Sequence, residues 1–167
     1  SFTVQKTYGD TTAVTYHNFR GLNIGGMSLD FASGSILTGK FSVMGSDAII
    51  GVTQIAGAQI IDSGSDVPMN GVNNIQTITE NGSPSVSAFK KISLNVDGGL
   101  RAQDAIGSLG PIGIALSTFN VTGSFDIYFS DIVMYNRFLG NTSMALAFKA
   151  QDATGSFYHF KMPNVKI

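Results

Sequence analysis

The clearest pattern in the sequence is VSAFKKISLNV, the stretch from Val86 to Val96. Apolar residues recur there at every second position except Lys90, and a period of two is typical of a β-strand with one buried face. The turn residues Asp97-Gly98-Gly99 follow directly, and they favour a sharp change of chain direction. This stretch therefore predicts a long strand that ends in a tight turn.

The same alternation extends along most of the chain. It occurs at Phe2–Tyr8, residues 21–45, Ile114–Phe129, residues 142–148 and residues 157–162. The second of these stretches predicts one long hairpin, with a turn at Ser33-Gly34 and a β-bulge where Gly25-Gly26 shifts the phase. The predicted fold class is mainly β, an antiparallel β-sandwich or partial barrel.

The composition agrees with an ordered, β-rich protein. Of the 167 residues, 20 are glycine, 43% are apolar and only 13% are charged, a balance that excludes disorder and favours a packed core. The length suits a single domain over residues 1–167. The absence of cysteine excludes disulfide scaffolds, thiolate metal sites and cysteine nucleophiles. A formal net charge of −1 leaves no basic footprint for nucleic-acid binding.

One short stretch predicts a helix, at about residues 131–139. Ser130 or Asp131 can cap its N-terminus, and Gly140-Asn141 supplies a left-handed stop. Ile132, Tyr135 and Leu139 share a stripe at helical spacing. We expect this stripe to be buried against the sheet.

Residues 46–74 follow neither a strand nor a helix period for long, although they are rich in isoleucine and valine. Long irregular segments in compact domains are uncommon and are usually functional or disordered. An apolar segment of this kind predicts an inter-subunit loop or arm, because an exposed apolar patch favours a partner. The candidate subunit-contact residues are Ile49, Ile50, Val52, Ile55, Ile60 and Ile61.

Catalytic constellations are sparse. Asp62-Ser63-Gly64 resembles the active-site turn of aspartic proteases, but that chemistry needs two carboxylates that share one proton. His17 and His159 are the two histidines, and no G-x-S-x-G motif or phosphate-binding glycine loop accompanies them. The sequence predicts no catalytic, metal or cofactor site, and no enzyme activity. No apolar run approaches the roughly 20 residues that span a bilayer, so no membrane role is expected.

The order of several motifs resembles a known family. These motifs are LTGKFSVMG (Leu37–Gly45), LNVDGGLR (Leu94–Arg101), VTGSFDIYFSD (Val121–Asp131) and the C-terminal DATGSFYHFKMPNVK (Asp152–Lys166). In this order and spacing they resemble tail tube proteins of long-tailed, non-contractile bacteriophages, over most of residues 1–167. Those relatives have a region before the segment that matches Ser1. A fragment, a processed form and a shorter relative all remain open, including the C-terminal part of a longer chain.

The resemblance implies a structural virion protein, located in the phage tail and assembled in the host cytoplasm. Its implied partners are further copies of itself, in a hexameric ring, or in a trimeric ring if the full chain duplicates the fold. Stacked rings would form a hollow tube, with a tape-measure protein and tail-end proteins as further partners. DNA would pass through this conduit without specific binding.

Two other classes of function stay open from the residues alone. One is a carbohydrate- or receptor-binding β-sandwich, which exposed aromatic platforms would support, although tryptophan is absent and most phenylalanines occupy strand-interior positions. The other is the aspartic protease-like domain. Rings or tubes in negative-stain microscopy would favour the tube protein, a monomer with affinity for glycans the binding module, and pepstatin-sensitive cleavage the protease.

Overall fold

The computed structural model describes residues 1–9, 13–57, 64, 67–129 and 132–167. These residues form twelve strands and one helix. The strands are β1 (Phe2–Tyr8), β2 (Thr15–Ala32), β3 (Thr38–Met44), β4 (Asp47–Gly51), β5 (Thr79–Glu80), β6 (Ser83–Pro84), β7 (Phe89–Asp97), β8 (Arg101–Gln103), β9 (Gly113–Ala115), β10 (Asn120–Ile127), β11 (Met144–Gln151) and β12 (Phe157–Val165), and the helix is α1 (Val133–Leu139).

The strands form three antiparallel sheets. A six-stranded sheet has the order β1-β2-β7-β10, with β3 and β4 also paired to β2. A four-stranded sheet has the order β12-β11-β5-β6, and β8 pairs with β9 in a small hairpin. The predicted class, mainly β with one short helix, is confirmed. The described residues contain no closed barrel.

The contacts divide the chain into two compact units. The first unit comprises Ser1–Ser28, Lys40–Ser65 and Asn95–Thr122. The second comprises Leu29–Gly39, Asp66–Leu94 and Gly123–Ile167. The sequence predicts one domain over residues 1–167, and that assignment stays a prediction.

The second unit contains the main hydrophobic core. Strand β11 lies between β12 and β5, and its alternate residues Met144, Leu146, Phe148 and Ala150 are buried. Phe148 packs edge-on against Phe31 at 5.1 Å between ring centroids, and it stacks on Phe160 at 5.0 Å. Since Phe31 comes from β2 and Phe160 from β12, two sheets face each other across this core. The second unit is therefore a β-sandwich.

Strand β2 contains an irregularity in the first unit, close to Gly21. Phe2 pairs with Leu22, whereas Val4 pairs with Phe19, so β2 has one extra residue opposite β1. Gly21 lies in this extra segment at φ +61°, a conformation that glycine adopts without steric cost. At the predicted position, Gly26 serves close packing, since a Cβ there would lie 2.6 Å from the carbonyl oxygen of Val96.

Helix α1 forms where the sequence predicts it, but its apolar stripe faces the opposite way. Ile132, Tyr135 and Leu139 are 60%, 52% and 64% exposed, whereas Met134 on the other side is buried. The predicted burial of this stripe is therefore wrong. The physical reason is that Met134 and the charged Arg137 attach the helix to its own unit, which leaves the stripe outside.

The ends of α1 follow the sequence signals in part. The stop is left-handed at Asn141, with φ +46°. Thr142 N–H donates to the Arg137 carbonyl at 3.0 Å, and Asn141 N–H donates to that of Phe138 at 3.2 Å. This pair of bonds is a Schellman motif. The predicted caps Ser130 and Asp131 lie outside the described residues.

An ion pair anchors α1 to the four-stranded sheet. Arg137 Nη1 lies 2.7 Å from Glu80 Oε2, and the two side chains are only 20% and 10% exposed. The Ser85 hydroxyl donates to the other oxygen of the same carboxylate. Arg137 Nη1 also lies 3.4 Å from the sulfur of Met144. The charged pair is thus held between β5 and the helix inside the second unit.

The segment predicted to be irregular, residues 46–74, is ordered at both described ends. Strand β4 occupies Asp47–Gly51 because these residues pair with β2. Farther along, Leu37 N–H donates to the Met69 carbonyl at 2.9 Å, and Gly71 N–H donates to that of Ser35 at 2.9 Å. Backbone pairing with distant segments of the chain fixes these ends, and local periodicity does not reveal such pairing.

Candidate assembly surfaces

The predicted contact residues begin on a three-stranded part of the first unit. Strand β2 pairs with β1 on one side and with β4 on the other, so His17 faces both Lys6 and Ile50. In the next row, Asn18 faces Gln5 and Ile49. Successive side chains in a strand point to opposite faces. Ile49 and Ile50 therefore lie on opposite faces of this sheet.

The face that contains Ile49 is the more enclosed one. Asn18 is 6% exposed there, and its Oδ1 accepts a hydrogen bond of 2.7 Å from the Gln5 side-chain amide. A buried amide needs such a partner, because an unpaired polar group would cost about 1–3 kcal/mol. The Gln5–Asn18 hydrogen bond joins β1 to β2 and helps to fix the register of these two strands.

The opposite face, which we call the open face, is apolar and exposed. It consists of Val4, Lys6, Tyr8, His17, Phe19, Ala48 and Ile50. The His17 and Phe19 rings stack at 4.3 Å between centroids, and Lys6 Nζ lies 4.6 Å from the Tyr8 ring. Val4 is 44% exposed and Ile50 is 66% exposed. An apolar sheet face of this kind favours burial against another surface.

The six predicted contact residues have different surroundings. Ile49, Ile50 and Val52 are exposed, and Ile55 is half-buried. Ile60 and Ile61 lie outside the described residues. The three exposed side chains are available to a partner, and their contact with a neighbouring subunit stays a prediction.

Sequence reasoning missed a second apolar surface, the hairpin of β8 and β9. The sequence indicates only an irregular, glycine-punctuated stretch, yet Ile106 and Leu109 at the hairpin tip are fully exposed. One feature of the sequence does indicate this exposed apolar tip. Isoleucine and leucine stand among the turn formers of AIGSLGPI (Ala105–Ile112), where polar residues are usual.

The outer face of the four-stranded sheet is basic. Lys149 pairs with His159 across β11 and β12, and Lys161 follows on the same face. These side chains line a depression of about 450 Å³. Desolvation lowers the pKa of His159, and the charges of Lys161 and Lys149 lower it further. The imidazole is therefore neutral at neutral pH, and the two lysines supply the charge.

Neither histidine has the surroundings of a catalytic base. His17 stacks on Phe19, and His159 faces two lysines. Among the described residues, no serine or carboxylate hydrogen-bonds to either ring. Asp62, on which the protease hypothesis depends, lies outside the described residues. The described surroundings of the two histidines therefore contain no paired base and nucleophile.

The aromatic residues are more exposed than the strand pattern predicts. The exposed ones include Phe41, Phe119, Phe129, Phe157 and Tyr158, each more than half exposed. Most phenylalanines do lie in strands, as expected, but a strand position does not bury all of them. The reason is that an alternating pattern shows which side chains share one face of a strand. It does not show whether another part of the protein covers that face.

Comparison with known proteins identifies one family. A family model described as phage tail tube protein matches residues 1–166, almost the whole chain. No curated protein matches the sequence. Within the described parts of the chain, no helix has the length and apolar character that crossing a bilayer requires.

Proposed function

Because the chain belongs to the phage tail tube protein family, we propose that its copies close into rings and that these rings stack into a hollow tube. The family makes this chain a structural protein of the phage tail, where it assembles with itself and with other tail proteins. The observation that carries the proposal is the family match over residues 1–166.

The ring proposed here is hexameric, or trimeric if a longer chain repeats the fold. A closed ring leaves no free sheet edge, and this would protect β1 and β4, which flank β2 on its two sides. Stacked rings would enclose the path of the DNA and of a tape-measure protein. Tail-end proteins would complete the tube, which assembles in the host cytoplasm.

The open face and β4 are proposed to contact a neighbouring subunit. The support is the exposure of two apolar side chains: Ile50 on the edge strand β4 is 66% exposed, and Val52, just after the end of β4, is 71% exposed. Burying a side chain of this size contributes about 1.5–3 kcal/mol. A handful of such residues would stabilise a subunit interface. Ile49, Ile55, Ile60 and Ile61 complete the proposed contact segment.

The channel is proposed to lie away from the basic face of the second unit. Lys149 and Lys161 stand on one sheet face, and each phosphate that such a face neutralised would hold the DNA more tightly. The proposed tube must let the DNA pass, so its wall should not bind DNA tightly. The near-neutral charge of the whole chain supports passage of DNA without specific binding. A catalytic role is not part of this proposal.

Hydrogen exchange tests the proposed contact. We expect peptides that cover Asp47–Gly57 to exchange more slowly in the assembled protein than in dilute monomer, because a neighbour would cover the outer edge of β4. Mass spectrometry of both samples measures this. Peptides that cover Met144–Gln151 are the control, since β11 is an inner strand and should be equally slow in both. Equal rates for Asp47–Gly57 would contradict the contact.

A further inference from the structure

The tip of the β8–β9 hairpin presents apolar side chains directly to water. We define this hairpin tip as Asp104–Ile112. Ile106 and Leu109 are fully exposed, and Ile112 is 69% exposed. Side chains this exposed gain little from contacts within their own chain, and exposed apolar patches favour cover by another surface.

The backbone holds the hairpin tip in one conformation. Ser108 N–H donates to the Ala105 carbonyl at 3.2 Å, and Gly107 has φ +87°. This is the geometry of a type II turn with Ile106 at its first central position. The Ser108 hydroxyl donates to the Gly110 carbonyl at 2.6 Å. A tip ordered in advance loses little conformational entropy when it binds.

A second exposed apolar surface lies on α1. We call Ile132, Tyr135, Phe138 and Leu139 the helix stripe. Each of these side chains is between 52% and 64% exposed. They carry no charge, and the one charged residue of the helix, Arg137, bonds to Glu80 on the inner side. The helix stripe is apolar, yet the second unit packs against the opposite side of the helix, where Met134 is buried.

We propose that the hairpin tip of one copy packs on the helix stripe of a neighbouring copy in the ring. This inference rests on the proposed function. A closed ring of more than two subunits needs two different, complementary surfaces on each chain. The hairpin tip and the helix stripe are two such surfaces, one protruding and the other along a helix.

The size and charge of the two surfaces fit each other. At about 200 Å² for a whole large side chain, the tip and the stripe together expose on the order of 1,000 Å². Complete burial of this area would reach the lower limit of about 1,000 Å² for a specific interface. Both surfaces are nearly uncharged, with Asp104 at the base of the tip. A membrane-binding loop would carry lysine or arginine for lipid headgroups, and residues 104–112 contain neither.

Cysteine cross-linking tests the pairing directly, because the natural chain has no cysteine. Leu109→Cys protein is mixed with Ile132→Cys, Tyr135→Cys or Leu139→Cys protein, assembled and mildly oxidised. We expect a disulfide-linked dimer from at least one of these mixtures. The control mixture pairs Leu109→Cys with Val86→Cys, an apolar position that is 75% exposed elsewhere, and should give none. Absence of a dimer from all three mixtures would overturn the pairing.

A charge at the tip tests its role in assembly. Leu109→Asp should weaken association at least tenfold by sedimentation while leaving the circular dichroism and melting of the monomer unchanged, because Leu109 is fully exposed. Leu109→Met is the matched control and should assemble like wild type. If the wild type assembles and Leu109→Asp assembles equally well, this inference alone fails. A wild-type chain that never assembles would overturn the proposed function as well.

Discussion

Replacing Phe148 by alanine should lower the free energy of unfolding by about 3–5 kcal/mol, as is typical for a buried aromatic residue. Phe148 is 2% exposed, and its ring lies within 5.1 Å of the Phe31 and Phe160 ring centroids. The substitution leaves a cavity where two sheets meet. Because domains are stable by only about 5–15 kcal/mol, we expect a marked loss of folded protein.

Urea unfolding of the dilute monomer measures this effect, and Phe157→Ala is its matched control. Phe157 lies on the neighbouring strand β12 of the same sheet, but it is 54% exposed on the outer face. Its removal opens no cavity, so the unfolding midpoint should change little. Equal midpoint shifts for the two variants would show that Phe148 does not lie in the core between the two sheets of the second unit.

Replacing Arg137 by methionine should destabilise the second unit by about 3–5 kcal/mol, the usual cost of removing one partner from a buried ion pair. Methionine keeps most of the side-chain volume, so the loss reports the charge. Glu80 would keep its hydrogen bond from Ser85, but its carboxylate is only 10% exposed and would lack a counter-charge. Thermal or urea unfolding measures the loss.

Two further variants separate charge from packing. The double variant Arg137→Met/Glu80→Gln should recover most of the lost stability, because no unpaired charge remains. Lys91→Met is the control for an exposed pair. Lys91 and Asp30 are 45% and 48% exposed at 3.4 Å, and such pairs contribute about 0–1 kcal/mol. An Arg137→Met variant as stable as Lys91→Met would show that α1 is not anchored through Glu80.

The parts of the fold that sequence predicts well are those set by neighbouring residues. Strands β7 and β11 follow from alternation alone, since a half-covered strand requires a period of two. The position of α1 follows from turn and stop residues around it. The resemblance to tail tube proteins follows from the order of short motifs, and the family match confirms it.

The parts that sequence predicts poorly depend on distant partners. The Arg137–Glu80 pair joins residues 57 positions apart, so no local pattern contains it. The apolar stripe that includes Leu139 was correctly identified, but its direction was not. Periodicity shows that a stripe requires burial, without showing whether the same chain or a neighbouring copy buries it.

The same limit explains the candidate surfaces. Isoleucines within residues 46–74 predict a partner by composition, whereas no local periodicity draws attention to Ile106 and Leu109 in their turn-rich stretch. The exposed apolar residues and the core residues of this chain have the same composition. Only the three-dimensional structure separates them, because only it shows which side chains the chain leaves uncovered.

The central claim is that the apolar surfaces exposed on a single chain become buried between copies. Electron microscopy of concentrated, negatively stained wild-type protein tests it most directly. We expect closed rings and stacked, hollow tubes whose abundance rises with protein concentration. Particles the size of one chain at every concentration, with no rings, would contradict the account.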